Sequence, residues 1–379
     1  MKLKSKQKGL FKTLGMIALC ILSFGAGFWL HERIKSPDER LFDTAYRLIR
    51  RDSLFNQQTD RELTYTAIRG MLATIDDPYA ELIEPKAADN FTNTFTGQTG
   101  VVGLYAENKA NQVVITIVFP NSPAEDAGLL VGDVILAIDG VTLESTVDSS
   151  ETGLMIRGSP GTSVHLKVLR DDQVLEFDIV REVREFITYR MLPKGIGYIS
   201  LNAFNRTATQ QMKEALETLM AQKPTGLVWD LRNNEGGDMQ AAQAVLSYFI
   251  EDGLLFTAEL TSNRTVQFNA QGDAITTDIP LIVLIDQTSY SAAETSAAAI
   301  AERGRGKTIG STSYGKGVIQ ATVFLTDDTL LQMTIARWLS PNGEWYQTRG
   351  VSPQIEVNDD PETETDEPLQ KAIEILSLK

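Results

Sequence analysis

Three times between residues 196 and 303, a short apolar run leads through a turn into a segment of helical periodicity. The runs are 196–201, 227–231 and 281–285, and the helical segments are 207–222, 239–250 and 292–303. In the first helix Met212, Leu216, Leu219 and Met220 fall on one face. The run 281–285 is apolar throughout, which predicts a strand buried on both sides. Segments 318–325 and 330–338 read as a hairpin around Asp327 and Asp328. Strands that alternate with helices in this way predict an α/β core.

The remainder divides by pattern. Residues 37–90 read as helical, with Leu41, Ala45, Leu48 and Ile49, then Leu63, Ala67, Ile68 and Met71, at helical spacing. Asp76-Asp77-Pro78 stops that run. Residues 96–184 carry β-branched runs such as 113–119 and 163–169 between tight turns. They predict a small, partly open β-barrel with one short helix. The segment 359–366 is acidic and expected to be loose, and 369–378 can form a last helix.

At the N-terminus Lys2, Lys4, Lys6, Lys8 and Lys12 precede an uncharged apolar run, 14–30. That length can span a bilayer, and the charge layout places the N-terminus in the cytoplasm and the rest outside. A cleaved signal peptide is the alternative, but no clean small-x-small site precedes a polar break. A lipid anchor at Cys20 is disfavoured by the bulky Leu19 before it. The expectation is an uncleaved single-pass anchor.

Composition removes several function classes. A chain of 379 residues is expected to hold roughly two or three domains. A net charge of -15 is unsuited to binding nucleic acid. The lone Cys20 excludes an internal disulfide and a cysteine-based metal site. The two histidines, His31 and His165, are far apart and no HExxH is present, so no zinc centre and no cofactor are expected.

Two turns follow strands and open helices: Arg232 to Gly237, and Gln287 to Ser291. In open α/β sheets such strand ends face one crevice. Ser291 would stand at a helix N-terminus beside the N–H of Ala292, where free N–H groups and the helix dipole suit a developing oxyanion. The same positions also suit an N-cap serine and a plain Gly-Gly turn. With neither histidine near these segments, a serine nucleophile needs another base. Lys316 lies in a glycine-rich turn, and a lysine can serve when burial lowers its pKa. Ser313-Tyr314-Gly315-Lys316 matches the S-x-x-K motif of penicillin-recognising enzymes in letters. Gly315 and Gly317 disfavour the helix that motif needs, and no Lys-Thr-Gly partner exists. A chymotrypsin-like mechanism lacks its histidine.

The stretch from Ser122-Pro123-Ala124-Glu125 through Gly132-Asp133-Val134-Ile135 to Ile138-Asp139-Gly140 resembles a bacterial PDZ domain. Such domains add a peptide C-terminus as an edge strand and hold its carboxylate on backbone N–H groups. By that resemblance the holding loop is Thr99, Gly100, Val101, Val102, Gly103 and Leu104. The segments Gly195 to Leu201, Gly226 to Gly237, Ser289 to Glu294, Tyr314 to Gln320 and Gly350 to Pro353 are similar to those of the carboxyl-terminal processing peptidases, or tail-specific proteases. They occur in that family's order, after a PDZ domain and an N-terminal membrane segment.

The resemblance implies Ser291 as nucleophile, Lys316 as general base and Gln320 as the group that orients the lysine. It implies an oxyanion hole from the N–H groups of Gly237 and Ala292, with Gly236 a weaker candidate. Glu235 stands where proline is common, and Tyr290 and Ala293 where small residues and serine are common. Glu294 fits the family pattern, or simply complements the helix dipole. The expected architecture is an α/β multidomain chain. It comprises a basic tail and membrane helix (1–35), a helical segment (36–95), a β-barrel-like PDZ domain (96–184), an α/β serine-peptidase core (185–358), and an acidic linker with a final helix (359–379). The expected function is an endopeptidase of the bacterial cell membrane, its catalytic part extracytoplasmic, acting on protein C-terminal tails. The alternative is an inactive PDZ adaptor on a peptidase scaffold, against which the intact Ser291, Lys316 and Gln320 argue.

Overall fold

The computed structural model describes residues 35–378, apart from 86–87, 89–98, 110–111, 120–121, 144–148, 184–185, 262–263, 327, 361–362 and 364. The apolar run 14–30, Cys20 and His31 therefore lie outside the described residues. Among the described residues, no helix is long and apolar enough to cross a membrane. The chain forms two compact units that meet in sequence at Asp76 and Asp77.

In the first unit, two helices are set by capping boxes. Ser36 begins α1 (Pro37–Asp52): the Glu39 N–H donates to its hydroxyl, and its own N–H donates to the Glu39 carboxylate at 2.7 Å. Thr59 and Glu62 repeat the device for α2 (Asp60–Leu72). These reciprocal bonds satisfy N–H groups that a helix start leaves open. The Tyr46 hydroxyl donates to Asp60 O, tying the helices together.

The second unit begins with a correction. The expected helical run does not extend to residue 90, because Glu81–Ile83 is a strand, β1. Its register partners, Gln332 to Leu330, are far along the chain, and that pairing overrides local pattern.

The region expected to be a PDZ domain contains β2 (Gly100–Val101), β3 (Leu104–Lys109), β4 (Gln112–Val118), α3 (Pro123–Asp126), β5 (Val134–Ile138), β6 (Val141–Thr142), α4 (Ser149–Ile156), β7 (Ser163–Arg170), β8 (Gln173–Val180) and β9 (Glu182–Val183). Strands run in the order β3-β4-β5-β7-β8, with β6 on β5, and β2 pairs with β9. Every pairing is antiparallel. Alternate residues of β7, Val164, Leu166 and Val168, point into a core with Ile115, Ile135 and Ile179. Among the described residues the region holds two helices, not one: α4 packs on β3, and its mixed sequence carries little periodicity.

The C-terminal α/β region contains β10 (Ile187–Leu192), β11 (Ile196–Leu201), α5 (Arg206–Ala221), β12 (Gly226–Asp230), α6 (Met239–Ser247), β13 (Leu254–Leu260), β14 (Thr265–Asn269), β15 (Leu281–Ile285), α7 (Ala292–Glu302), β16 (Lys307–Gly310), β17 (Val318–Phe324), β18 (Leu330–Leu339), β19 (Ile355–Glu356) and α8 (Glu367–Ser377). A six-stranded sheet runs β10-β11-β12-β15-β16-β19, parallel except at β10. Successive residues of β12 serve opposite faces: Trp229 joins the core under α5, α6 and α7, while Val228 joins the one under α8. Burial on both faces explains the unbroken apolar runs in β12 and β15. A second, antiparallel sheet runs β1-β18-β13-β14, with β17 on β18.

The acidic segment before α8 is anchored at its end, contrary to expectation. The Asp366 carboxylate accepts two hydrogen bonds from Arg232, at 2.8 and 2.7 Å, and caps α8 through the Leu369 N–H. Arg232 also pairs with Asp230, whose carboxylate accepts the Tyr198 hydroxyl.

Candidate active site

Because β12 and β15 are parallel neighbours, the turns that leave them emerge side by side. Side chains and backbone stitch these turns together. The Asn233 N–H donates to the Thr288 hydroxyl, the Ser289 hydroxyl donates to Leu231 O, and the Tyr290 N–H donates to Asn234 O. Ser291 follows with φ 48 and ψ -107, a conformation that L-residues rarely adopt. A serine held on such a strained strand-to-helix turn is the device that presents a nucleophile in other hydrolase folds. Ser291 and Glu294 are placed as a capping box, but the Ser291 hydroxyl makes no helix-capping hydrogen bond of full geometry.

The Arg232 to Gly237 turn presses against the Ser291 turn. A Cβ added to Gly236 would lie 3.0 Å from Ala292 N and 3.0 Å from Ser291 Cβ, so only glycine lets the backbones approach. The Gly236 N–H is taken, donating to Asn234 Oδ1 at 2.8 Å, while Asn234 Nδ2 donates to Leu201 O. Among the described residues, the N–H groups of Gly237 and Ala292 donate to no protein acceptor. Of the two glycines, Gly237 is therefore the one with a donor to offer. It has φ 132, and a Cβ there would fall 2.1 Å from Phe204 O.

Lys316 lies between β16 and β17. Its carbonyl accepts the Trp338 indole N–H at 2.8 Å, and the carbonyl of Gly317 accepts that of Trp345. The Gly317 N–H donates to Gln347 Oε1. Burial lowers the pKa of the Lys316 amine, while the charges of Glu294 and Asp77 work in the opposite direction. The amine sits 4.7 Å from the centroid of the Tyr79 ring. No hydrogen bond joins it to the Ser291 hydroxyl or to Gln320. Gln320 lies on β17 at a register shift, and its Nε2 is buried without a partner.

Glu294, in the first turn of α7, joins the parts. It is fully buried. Its Oε2 accepts from the Ser291 N–H and from the Lys316 N–H, each at 2.8 Å. Its Oε1 accepts from the Ser313 hydroxyl at 2.6 Å and the Gly315 N–H at 2.7 Å. Burial raises the pKa of the Glu294 carboxyl, while the hydrogen bonds from Ser313, Gly315, Lys316 and Ser291 act in the opposite direction. Sequence reasoning read Glu294 as part of the family pattern or as a dipole partner, and missed this role. The Ser291-to-Glu294 spacing is that of a capping box, but nothing local reveals residues 313–316 as the other donors. Asp77 was read only as part of a helix stop, and Tyr79 was given no role.

His165 lies on β7, where its Nδ1 meets Asp178 Oδ1 at 2.9 Å, a contact within the PDZ sheet. In the expected carboxylate loop, Thr99 is buried and the Gly100 N–H is spent on Gly158 O at 2.7 Å. Val102 O accepts the Ala124 N–H, and Gly103 O accepts the Phe119 N–H and the Ser122 hydroxyl. Val101 belongs to β2 and Leu104 opens β3.

Comparison with known proteins places this geometry. Residues 195–357 match the model of peptidase family S41, and residues 100–180 match that of the PDZ domain. The chain is 32% identical over 345 residues to the carboxyl-terminal-processing protease of Synechocystis, covering 84% of this chain and 80% of that protein. It is 31% identical over 336 residues to carboxy-terminal processing protease CtpB of Bacillus subtilis, covering 86% and 68%. Among solved structures it resembles the photosystem II D1 C-terminal processing protease. The TM-score is 0.65 and the identity 27%, with 90% of this chain and 98% of that one covered. The chain belongs to the carboxyl-terminal processing proteases of peptidase family S41 and is a serine-type protease.

Proposed function

We propose that the protein is a membrane-anchored endopeptidase with a Ser-Lys dyad that cleaves protein C-terminal tails. Ser291 is the nucleophile and Lys316 the general base, with Gln320 orienting the amine. The observation that carries this reading is the shared carboxylate oxygen. Glu294 Oε2 accepts from both Ser291 and Lys316, which fixes the two backbones next to each other. The neutral Lys316 amine takes the Ser291 hydroxyl proton as the oxygen attacks the scissile carbonyl. The Gly237 and Ala292 N–H groups hold the resulting oxyanion. The lysine then gives its proton to the leaving amine. In the second half a water, deprotonated by the same amine, hydrolyses the acyl ester and frees Ser291.

The names of its relatives, processing proteases acting at carboxyl termini, support protein tails as substrate. The loop Thr99 to Leu104 is the feature through which the PDZ region recognises such a tail. The lysine-rich start and the apolar run 14–30 support a single-pass anchor, with the protease outside the cytoplasm. A fluorophosphonate probe should label Ser291 in the parent protein and leave Ser291→Ala unlabelled. Lys316→Ala should fold and lose turnover, since removing one member of a catalytic unit costs nearly the whole effect. Lys316→Ala turning over near the parent rate would overturn the dyad.

A further inference from the structure

The segment from Asp77 to Ile83 is fastened to β18, which pairs with β17, the strand that follows the lysine turn. Asp77 accepts from the Thr334 N–H at 2.8 Å and from the Thr334 hydroxyl at 3.0 Å. The Tyr79 N–H donates to Asp77 Oδ1 at 3.0 Å, and Glu81 opposes Gln332 in the strand register. Thr334 is itself the register partner of Gln320 on β17, four residues beyond Lys316. The ring of Tyr79 is thus held by a short rigid route, and the Lys316 amine lies 4.7 Å from its centroid, within cation–π range.

We propose that Tyr79 is a positioning residue for the general base: its ring face docks the protonated Lys316 ammonium. The inference rests on the Ser-Lys reading. A ring face attracts the ammonium and has no comparable attraction for the neutral amine. Deprotonation therefore releases the side chain toward Ser291, and substrate-ready geometry and the correct protonation state arrive together. The charged groups facing Lys316 are Glu294 and Asp77, both of which favour the ammonium; burial opposes them. Tyr79 adds a third contribution in the direction of the two carboxylates.

The test is the acid limb of kcat/KM against pH for full-length Tyr79→Leu and Tyr79→Phe. Loss of the ring destabilises the ammonium, so Tyr79→Leu should move the limb to lower pH by roughly half to one unit. Tyr79→Phe keeps the ring and should keep the limb. A merely structural tyrosine would change kcat or stability without this dependence on the ring. A direct reading covers the case in which turnover is too low. In Ser291→Ala protein carrying 13C-lysine, the Lys316 Cε resonance is titrated alone and in combination with Tyr79→Phe or Tyr79→Leu. An unmoved Lys316 titration in the leucine variant overturns the inference. Activity that survives Lys316→Ala overturns the dyad instead, so the two failures are told apart.

Discussion

Replacing Glu294 by glutamine tests how much one buried carboxylate organises the site. The parent side chain accepts four hydrogen bonds, from Ser291 N, Lys316 N, Gly315 N and Ser313 Oγ. An amide keeps one accepting oxygen and replaces the other with a donor. The less costly orientation leaves the oxygen on Ser291 and Lys316 and turns the NH2 toward Ser313, whose hydroxyl can rotate and accept. The Gly315 N–H then faces another donor. One buried, unsatisfied N–H costs about 1–3 kcal/mol, and the retained bonds weaken because their acceptor is no longer charged. The expected loss of stability is about 2–4 kcal/mol. Removing the anion also destabilises the Lys316 ammonium, so the acid limb of kcat/KM should move to lower pH. The stability is measured by urea unfolding in the Ser291→Ala background, which prevents self-cleavage, and the pH profile with Ser291 intact. A Glu294→Gln protein within about 0.5 kcal/mol of the parent, with an unmoved limb, would refute the reasoning.

Two other outcomes follow from the geometry. Gly237→Ala puts a Cβ 2.1 Å from Phe204 O at a φ of 132, so the turn must shift and misplace its N–H. Loss of one oxyanion donor should lower kcat by about 10²–10³, read in steady-state kinetics beside an unchanged Ser291→Ala binding control; a variant with parent kcat contradicts the assignment. For tail recognition, calorimetry on full-length Ser291→Ala should show an amidated peptide binding roughly ten- to a hundred-fold more weakly than its free-acid twin. Equal affinities would remove the terminal carboxylate from the recognition.

Legibility in the sequence followed where the stabilising contacts are local or two-sided. β15 was bounded correctly because all five of its residues are buried, so its apolar run had no polar interruption. α7 was legible from its alanines, which let the helix lie close to the sheet. β16 and β19, by contrast, are short and mixed, and they exist because a parallel neighbour completes their hydrogen bonds. β1 depends on residues some 250 positions away, a separation no local pattern carries. At the site, the strand-turn-helix around Ser291 could be read, but its positive φ could not. The same holds for Glu294: its spacing from Ser291 was visible, and its reach to the Lys316 turn was not.

The link between Arg232 and Asp366 bears on when the molecule can work. Arg232 stands at the start of the turn that carries Gly237, and its guanidinium is shared between Asp230 and the cap of α8. The lysine turn likewise leans on late residues, with the Val351 N–H donating to the Ser313 hydroxyl and Gln347 accepting from Gly317. A polypeptide emerges from the ribosome N-terminus first. Ser291 is thus made well before the groups that brace its surroundings. A nascent chain can carry Ser291 without its finished surroundings, which form only once residues 347–366 have been made.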